Sequence, residues 1–311
     1  MEPQKIVVIG SSNTDMVIKS EKLPAPGETV LGGTFLMNPG GKGANQAVAI
    51  ARLGGKVSFI CKTGKDLFAQ RATEGYRQEG INTDFILQDT ESPSGIALIT
   101  VNAEGENCIV VAPGANNTLT PADIELSRKE IESADLLIMQ LEIPLETVIA
   151  AARIAHDHGA KVILNPAPAP RKPLPDELLA ITDILIPNRG EAGILAGIEV
   201  SDWESAEKAA RILHERGTKN ILITLGSLGS LCFDGTEFSR IGAFKVQPVD
   251  TTAAGDTFCG ALCVALSEGQ SLAQAARFAS YVASISVTRL GAQSSVPYRR
   301  EIDERQVALQ Q

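Results

Sequence analysis

The sequence predicts an α/β fold: a central, mostly parallel sheet flanked by helices, with a small antiparallel β lid. Three observations predict it. Short, nearly continuous apolar runs recur along the chain, helix-period segments lie between them, and two segments break this alternation.

The first apolar run is residues 6–9, and similar runs stand at 57–61, 136–140, 162–165, 184–187 and 221–225. Strands covered on both faces read as unbroken apolar segments. Residues 145–158 and 204–216 carry helical patterning between such runs. This alternation implies parallel strands joined by right-handed crossovers. Ligands on such sheets sit beyond the carboxyl ends of the strands. Asn13, Glu142, Asn188 and Gly226 each come just after a predicted strand, so they converge on one edge.

The two exceptions are residues 15–38 and 94–112. The first contains Pro24, Pro26 and Gly27, then short pieces at 28–31 and 34–36. The second reads as a hairpin, 96–101 and 108–112 around Asn102-Ala103-Glu104-Gly105. Together they predict the small sheet. It is either an edge extension without a role or a lid that keeps water from a reacting group.

A length of 311 residues suits one large α/β domain with an appendage, or two small ones. A net charge of −9 argues against broad nucleic-acid binding, which needs a basic footprint. Five cysteines without CxxC spacing fit a reducing cytosol, with the thiols buried as small apolar groups. Residues 1–10 run straight into a strand, so no signal peptide is expected. No apolar run approaches a membrane span, so no membrane association is expected and the location is read as cytoplasmic.

Two glycine-rich segments carry the chemistry. The first is Asp250-Thr251-Thr252-Ala253-Ala254-Gly255-Asp256, a small-residue loop feeding a helical stretch. Its backbone N–H groups can approach an anion at a helix N-terminus. Asp256 could then take a proton from an attacking hydroxyl. An Asp at a helix start is also an ordinary N-cap. The second is Asn38-Pro39-Gly40-Gly41-Lys42-Gly43-Ala44-Asn45-Gln46, a Gly-rich loop opening a helix that stops at Gly54. Gly40, Gly41 and Gly43 would let backbone approach a ligand, and Lys42 and Asn45 offer donors. Neither the P-loop nor the dinucleotide glycine spacing is met.

These two segments resemble the ribokinase-type family of sugar and nucleoside kinases. The similarity extends, in family order, to residues 10–15 (Gly-Ser-Ser-Asn-Thr-Asp), 139–144 (Met-Gln-Leu-Glu-Ile-Pro), 188–191 (Asn-Arg-Gly-Glu), 224–229 (Thr-Leu-Gly-Ser-Leu-Gly) and 288–293 (Thr-Arg-Leu-Gly-Ala-Gln). The resemblance implies a Rossmann-like ribokinase fold, with residues 1–311 forming one domain and the lid segments inserted in it. It implies ATP-dependent phosphorylation of D-ribose at the 5-hydroxyl, giving ribose 5-phosphate and ADP. Asp256 would be the base, with the Gly255 and Ala254 amides on the moving phosphoryl group. Sugar contacts would come from Asn13, Asp15, Gly41, Lys42, Gly43, Asn45, Glu142 and Asp256. Asn188, Thr224, Gly226, Ser227, Gly229, Gly255 and Ser280 would line the nucleotide.

Magnesium accompanies ATP in this family, with Glu191 in an outer shell beside Asn188. An activating K⁺ would rest on Asp250, Thr252, Ser286, Arg289, Gly291 and Ser295, with Arg289 lending its carbonyl. The resemblance also implies a homodimer through the β lid. Two departures stand out: Arg189-Gly190 is less acidic than family members, and Ser280 stands where His or Asn is usual. Without the family, Asp15 reads as a turn carboxylate, Glu142 as a solvated loop residue, and the 188–191 pair as a cap plus a surface Glu. Competing functions are a sister kinase for fructose, a sugar acid or a nucleoside, and a catalytically silent sugar sensor. An NAD-linked oxidoreductase lacks its glycine fingerprint here.

Overall fold

The computed structural model describes residues 4–170 and 172–310, the last six by backbone alone. Residues 1–3, 171 and 311 of the predicted domain lie outside the described residues. In chain order the strands are β1 (Lys5–Ile9), β2 (Asn13–Lys19), β3 (Thr34–Gly40), β4 (Lys56–Gly64), β5 (Ile86–Asp89), β6 (Gly95–Val101), β7 (Asn107–Ala112), β8 (Leu136–Met139), β9 (Lys161–Leu164), β10 (Ile184–Leu185), β11 (Asn220–Thr224), β12 (Gly229–Phe233) and β13 (Phe238–Gly242). The helices are α1 (Lys42–Arg52), α2 (Leu67–Gln78), α3 (Pro121–Leu126), α4 (Arg128–Glu132), α5 (Leu145–Asp157), α6 (Asp176–Ala180), α7 (Arg189–Ala196), α8 (Trp203–Glu215), α9 (Ala254–Ser267), α10 (Leu272–Ser286) and α11 (Arg299–Gln310).

The main sheet has the order β13-β12-β11-β10-β9-β8-β1-β4-β5. From β11 to β5 every pairing is parallel, and β12 and β13 extend it antiparallel. The unbroken apolar runs serve two cores, because successive side chains point to opposite faces. Ile6 and Val8 of β1 join Leu136 and Ile138 of β8 on the face covered by α1, α9 and α10. Val7 and Ile9 join Leu137 and Met139 on the face covered by α5 and α8.

The predicted lid segments form a second sheet, in the order β3-β2-β6-β7. The predicted hairpin is β6–β7, closed by the Gly105 N–H donating to the Asn102 carbonyl at 3.1 Å. The sheet differs from expectation in two respects. Its central β2–β6 pairing is parallel, because both strands leave the main body in the same direction. Residues 28–31 form no strand, since Pro24, Pro26 and Gly27 precede them in a turn-rich segment. The cysteine expectation needs one correction. Cys61, Cys232, Cys259 and Cys263 are buried, but Cys108 is exposed, because β7 belongs to the lid and not to either core. Among the described residues, no helix is long and apolar enough to cross a membrane.

Parallel strands place their carboxyl ends on one edge. Residues 10–13 after β1, 140–142 after β8, Asn165 after β9, Asn188 after β10 and Leu225 after β11 therefore gather there. Helices α1 and α9 begin at the same edge and pack on one another.

Candidate active site

Helix α1 starts without a side-chain N-cap of its own. Its first N–H groups are satisfied from elsewhere. The Lys42 N–H donates to Glu142 Oε2 at 3.1 Å, Gly43 N–H to Ser11 Oγ at 3.4 Å, and Ala44 N–H to the Ser11 carbonyl at 2.9 Å. Ser11 Oγ in turn donates to Glu142 Oε2. Glu142 is thus a half-buried helix cap and not a solvated loop residue, and its charge suits the positive end of the helix dipole. Gly41 has φ 91°, a conformation that favours glycine. A Cβ on Gly43 would lie 2.7 Å from the Gly10 carbonyl carbon and the Ser11 nitrogen. The glycines of this loop were expected to admit a ligand. In the structure their missing side chains let the loop seat against residues 10–13. Beyond α1 the sequence signal is met in full. Gly54 donates to the Ala51 carbonyl and Gly55 to the Ile50 carbonyl, a Schellman stop.

Asp256 is the third residue of α9 and is 6% exposed. Its Oδ2 accepts from Asn45 Nδ2 at 2.9 Å and its Oδ1 from Gln46 Nε2 at 3.1 Å. It is not an N-cap. That position belongs to Ala253, whose φ of 55° makes it the one non-glycine residue of positive φ among the described residues. Such a conformation costs about 1–2 kcal/mol. It turns the 250–253 loop sharply into the helix. The Ala254 N–H donates back to the Thr251 carbonyl at 3.2 Å. The Gly255 and Asp256 N–H groups have no backbone acceptor among the described residues. A Cβ on Gly255 would meet nothing within 4 Å, so the helix start faces open space where an anion is favoured.

Charges crowd this pocket. Burial pushes the Asp15 carboxyl up to about 6, and the Glu142 and Asp256 carboxylates add to the rise. Burial raises Asp256 too, against the pull of the Lys42 ammonium and the two amide donors. For Lys42, burial acts downward, but Asp256, Glu142 and Glu191 outweigh it and the net direction is up. One half-buried ammonium thus stands among several carboxylates, a set of donors and acceptors that could pair with hydroxyls and an anion. Asn13 is buried on the first residue of β2, its Oδ1 accepting from Asn116 Nδ2 at 2.7 Å.

The segment expected to line the nucleotide lies along the same edge. Asn188 and Thr224 form an isolated parallel bridge, and the Thr224 N–H donates to the Pro187 carbonyl at 3.0 Å. Gly226 and Ser227 make a 3₁₀ turn, and Gly229 opens β12. Ser280 is half-buried on α10, which packs along α9. Asn188 and Glu191 form a reciprocal capping box. Asn188 Oδ1 accepts the Glu191 N–H at 2.9 Å, and Glu191 Oε2 accepts the Asn188 N–H at 2.8 Å. The Glu is buried and not superficial. Burial raises its carboxyl above the ordinary value, while the Asn188 N–H and Lys42 oppose that rise.

The loops before α9 and after α10 meet through Asp250. Its Oδ1 accepts from Thr252 N–H and Oγ, at 2.9 and 2.6 Å, and its Oδ2 from the Gly291 N–H at 2.9 Å. Burial acts upward on Asp250, but these donors win and hold it below its usual value. Ser286 and Ser295 are buried close by in sequence, each hydroxyl donating to a backbone carbonyl three residues earlier. The Arg289 guanidinium is paired with Glu301, so its charge is directed to α11.

Three side chains had no expected role and converge on Asp256. Gln46 donates to Asp256 and to Asn165 Oδ1 at 3.2 Å, and it accepts from Gln140 Nε2 at 2.6 Å. Gln46 and Gln140 sit within the family-like segments, and Asn165 ends a predicted strand. Adjacency to Asn45 and Glu142 was the available signal.

Residues 3–299 match the pfkB family of carbohydrate kinases. A ribokinase of Haemophilus influenzae is 47% identical over 296 residues, 95% of this chain and 96% of the relative. A deoxyribokinase of Salmonella typhi is 38% identical over 299 residues, 96% of this chain and 97% of the relative. The structure of Arabidopsis thaliana ribokinase complexed with ribose and ATP shares 34% identity and a TM-score of 0.91, covering 98% of each chain. A buried Asp at an open helix start, a glycine-rich loop closed by Glu142 and a near-full-length match lead to one conclusion: this chain belongs to the pfkB family of carbohydrate kinases.

Proposed function

We propose that this chain transfers the γ-phosphoryl group of ATP to the 5-hydroxyl of D-ribose, giving ribose 5-phosphate and ADP. The observation that carries this is the buried Asp256, held by Asn45 and Gln46 at the open N-terminus of α9, with Asp15, Lys42 and Glu142 around the same pocket. Relatives named ribokinase, and a ribokinase structure holding ribose and ATP, support the same substrates. We read residues 1–311 as one catalytic domain with the lid inserted.

Asp256 orients the 5-hydroxyl and accepts its proton late, since phosphoryl transfer passes through a loose transition state. The free N–H groups at Gly255 and Asp256 stabilise charge on the moving group. Asn13, Asp15, Lys42, Asn45 and Glu142 pair the remaining sugar hydroxyls; a buried polar group left unpaired costs about 1–3 kcal/mol, which penalises a sugar lacking its partner. Mg²⁺ held with ATP supplies charge neutralisation on the phosphates. Glu191 suits its outer shell, because it is buried within electrostatic reach of Lys42 and Asp256. The Asp250 carboxylate, with the Thr252 hydroxyl and the Val287 carbonyl beside it, suits K⁺, a large hard cation. The lid supports a homodimer through its exposed apolar residues, among them Ile18, Phe35, Leu98, Ile109 and Val110. ATP as phosphoryl donor and the five free cysteines support action in the cytoplasm.

The test is an ADP-release assay with Mg²⁺-ATP and K⁺, offering ribose, 2-deoxyribose, fructose and adenosine in turn. Preference for ribose is expected. Turnover only with another acceptor would keep the kinase and discard ribose, and no turnover with any would favour a sugar sensor.

A further inference from the structure

We propose that Gln46 is a positioning residue for the Asp256 carboxylate, with the direction of its amide set by Gln140 and Asn165. The inference rests on Asp256 acting as the base. Gln46 is completely buried in α1. Its Nε2 faces two acceptors, Asp256 Oδ1 at 3.1 Å and Asn165 Oδ1 at 3.2 Å. Its Oε1 accepts from Gln140 Nε2 at 2.6 Å. The reverse orientation would set an amide oxygen against a carboxylate. Asn165 is oriented in the same sense, because its Nδ2 donates to the Ile186 carbonyl at 2.8 Å. The donors therefore run from Gln140 at the end of β8 to Gln46 on α1, and from Gln46 both to the base and to Asn165 at the end of β9.

Asn45 holds Oδ2 and Gln46 holds Oδ1, so rotation of the Asp256 carboxylate about its Cβ–Cγ bond is stopped. Gln140 Oε1 is buried with no partner among the described residues. A side chain serving only packing would be apolar at such a place, since an unpaired buried polar atom is unfavourable. The amide's hydrogen bond is the one from its Nε2 to Gln46, which fixes the Gln46 amide. Donors to the charged form also oppose the upward push of burial on Asp256.

The test uses the full chain with Gln46→Met, Gln140→Met and Asp256→Asn, reading kcat, KM for sugar and ATP, the acid limb of the kcat pH profile and thermal stability. Gln46→Met is expected to lower kcat about ten- to hundredfold, the worth of a hydrogen bond to a charged group, while each KM stays within about twofold. Its acid limb moves up by about one pH unit, because the charged base has lost a donor. Gln140→Met shifts the limb the same way by less, although its side chain makes no hydrogen bond to Asp256. A lower Tm with an unmoved limb in both would make the network structural only and overturn the proposal. If Gln46→Met does not fold, the limb in Gln140→Met decides alone. Full activity in Asp256→Asn would instead remove the base reading, and this inference with it.

Discussion

Glu142 Oε2 accepts the backbone N–H of Lys42 at 3.1 Å, so a carboxylate from the end of β8 closes the first turn of α1. The same group raises the Asp15 carboxyl on the lid strand β2. A single side chain thus couples the helix start to a proposed sugar contact. Glu142→Gln keeps the acceptor and removes the charge. The Asp15 carboxyl should then titrate below its present value of about 6. Ribose KM, which should rise as Asp15 protonates in the wild type, should begin to rise at lower pH in the variant. An unchanged pH dependence of KM would contradict the coupling.

Asp15 should cost the free protein stability. Its folded pKa of about 6 lies above the ordinary 3.8, so ionisation favours the unfolded chain. The cost is complete above pH 6, fades as pH falls from 6 towards 4, and is absent below that. Asp15→Asn should therefore gain about 1–3 kcal/mol of unfolding free energy at pH 8 and lose the gain near pH 4, while ribose binding weakens far more than ATP binding. Denaturant titrations at the two pH values check the sign.

Replacing K⁺ by Na⁺ should lower turnover, and Asp250→Ala should abolish the difference between the two. Asp250 ties Thr252 to Gly291, so its loss also frees the loop that feeds α9. Equal rates with either cation in the wild type would remove the proposed K⁺ site.

Val110 is 68% exposed on β7, and Leu98 is 55% exposed on its neighbour β6. If these faces bury one another in a dimer, Val110→Asp should shift the solution mass from two chains to one. A wild-type mass of one chain would refute the interface.

The parallel core was legible because β1, β8, β9, β11 and the 57–61 stretch of β4 are mostly apolar runs, as strands covered on both sides must be. β5 was not legible: Ile-Leu-Gln-Asp is short and half polar, and it acquires its strand from β4. The packing role of Gly41 and Gly43 was not legible, because glycine spacing cannot distinguish a bound ligand from a close neighbour such as Ser11. Glu142 and Glu191 read as solvated from the sequence, since only the tertiary structure brings the backbone N–H groups they accept. Gln46, Gln140 and Asn165 escaped for a related reason: a neutral amide has no periodic or charge signature, and its meaning lies in its partners.

The central claim is that Asp256 accepts the proton of the attacking hydroxyl. The most direct measurement is single-turnover ADP formation by Asp256→Asn, with ribose affinity determined calorimetrically on the same preparation. The account predicts near-normal ribose binding with turnover reduced by about 10²-fold or more, the range of general-base catalysis. Ribose binding and turnover both at the wild-type level would contradict it.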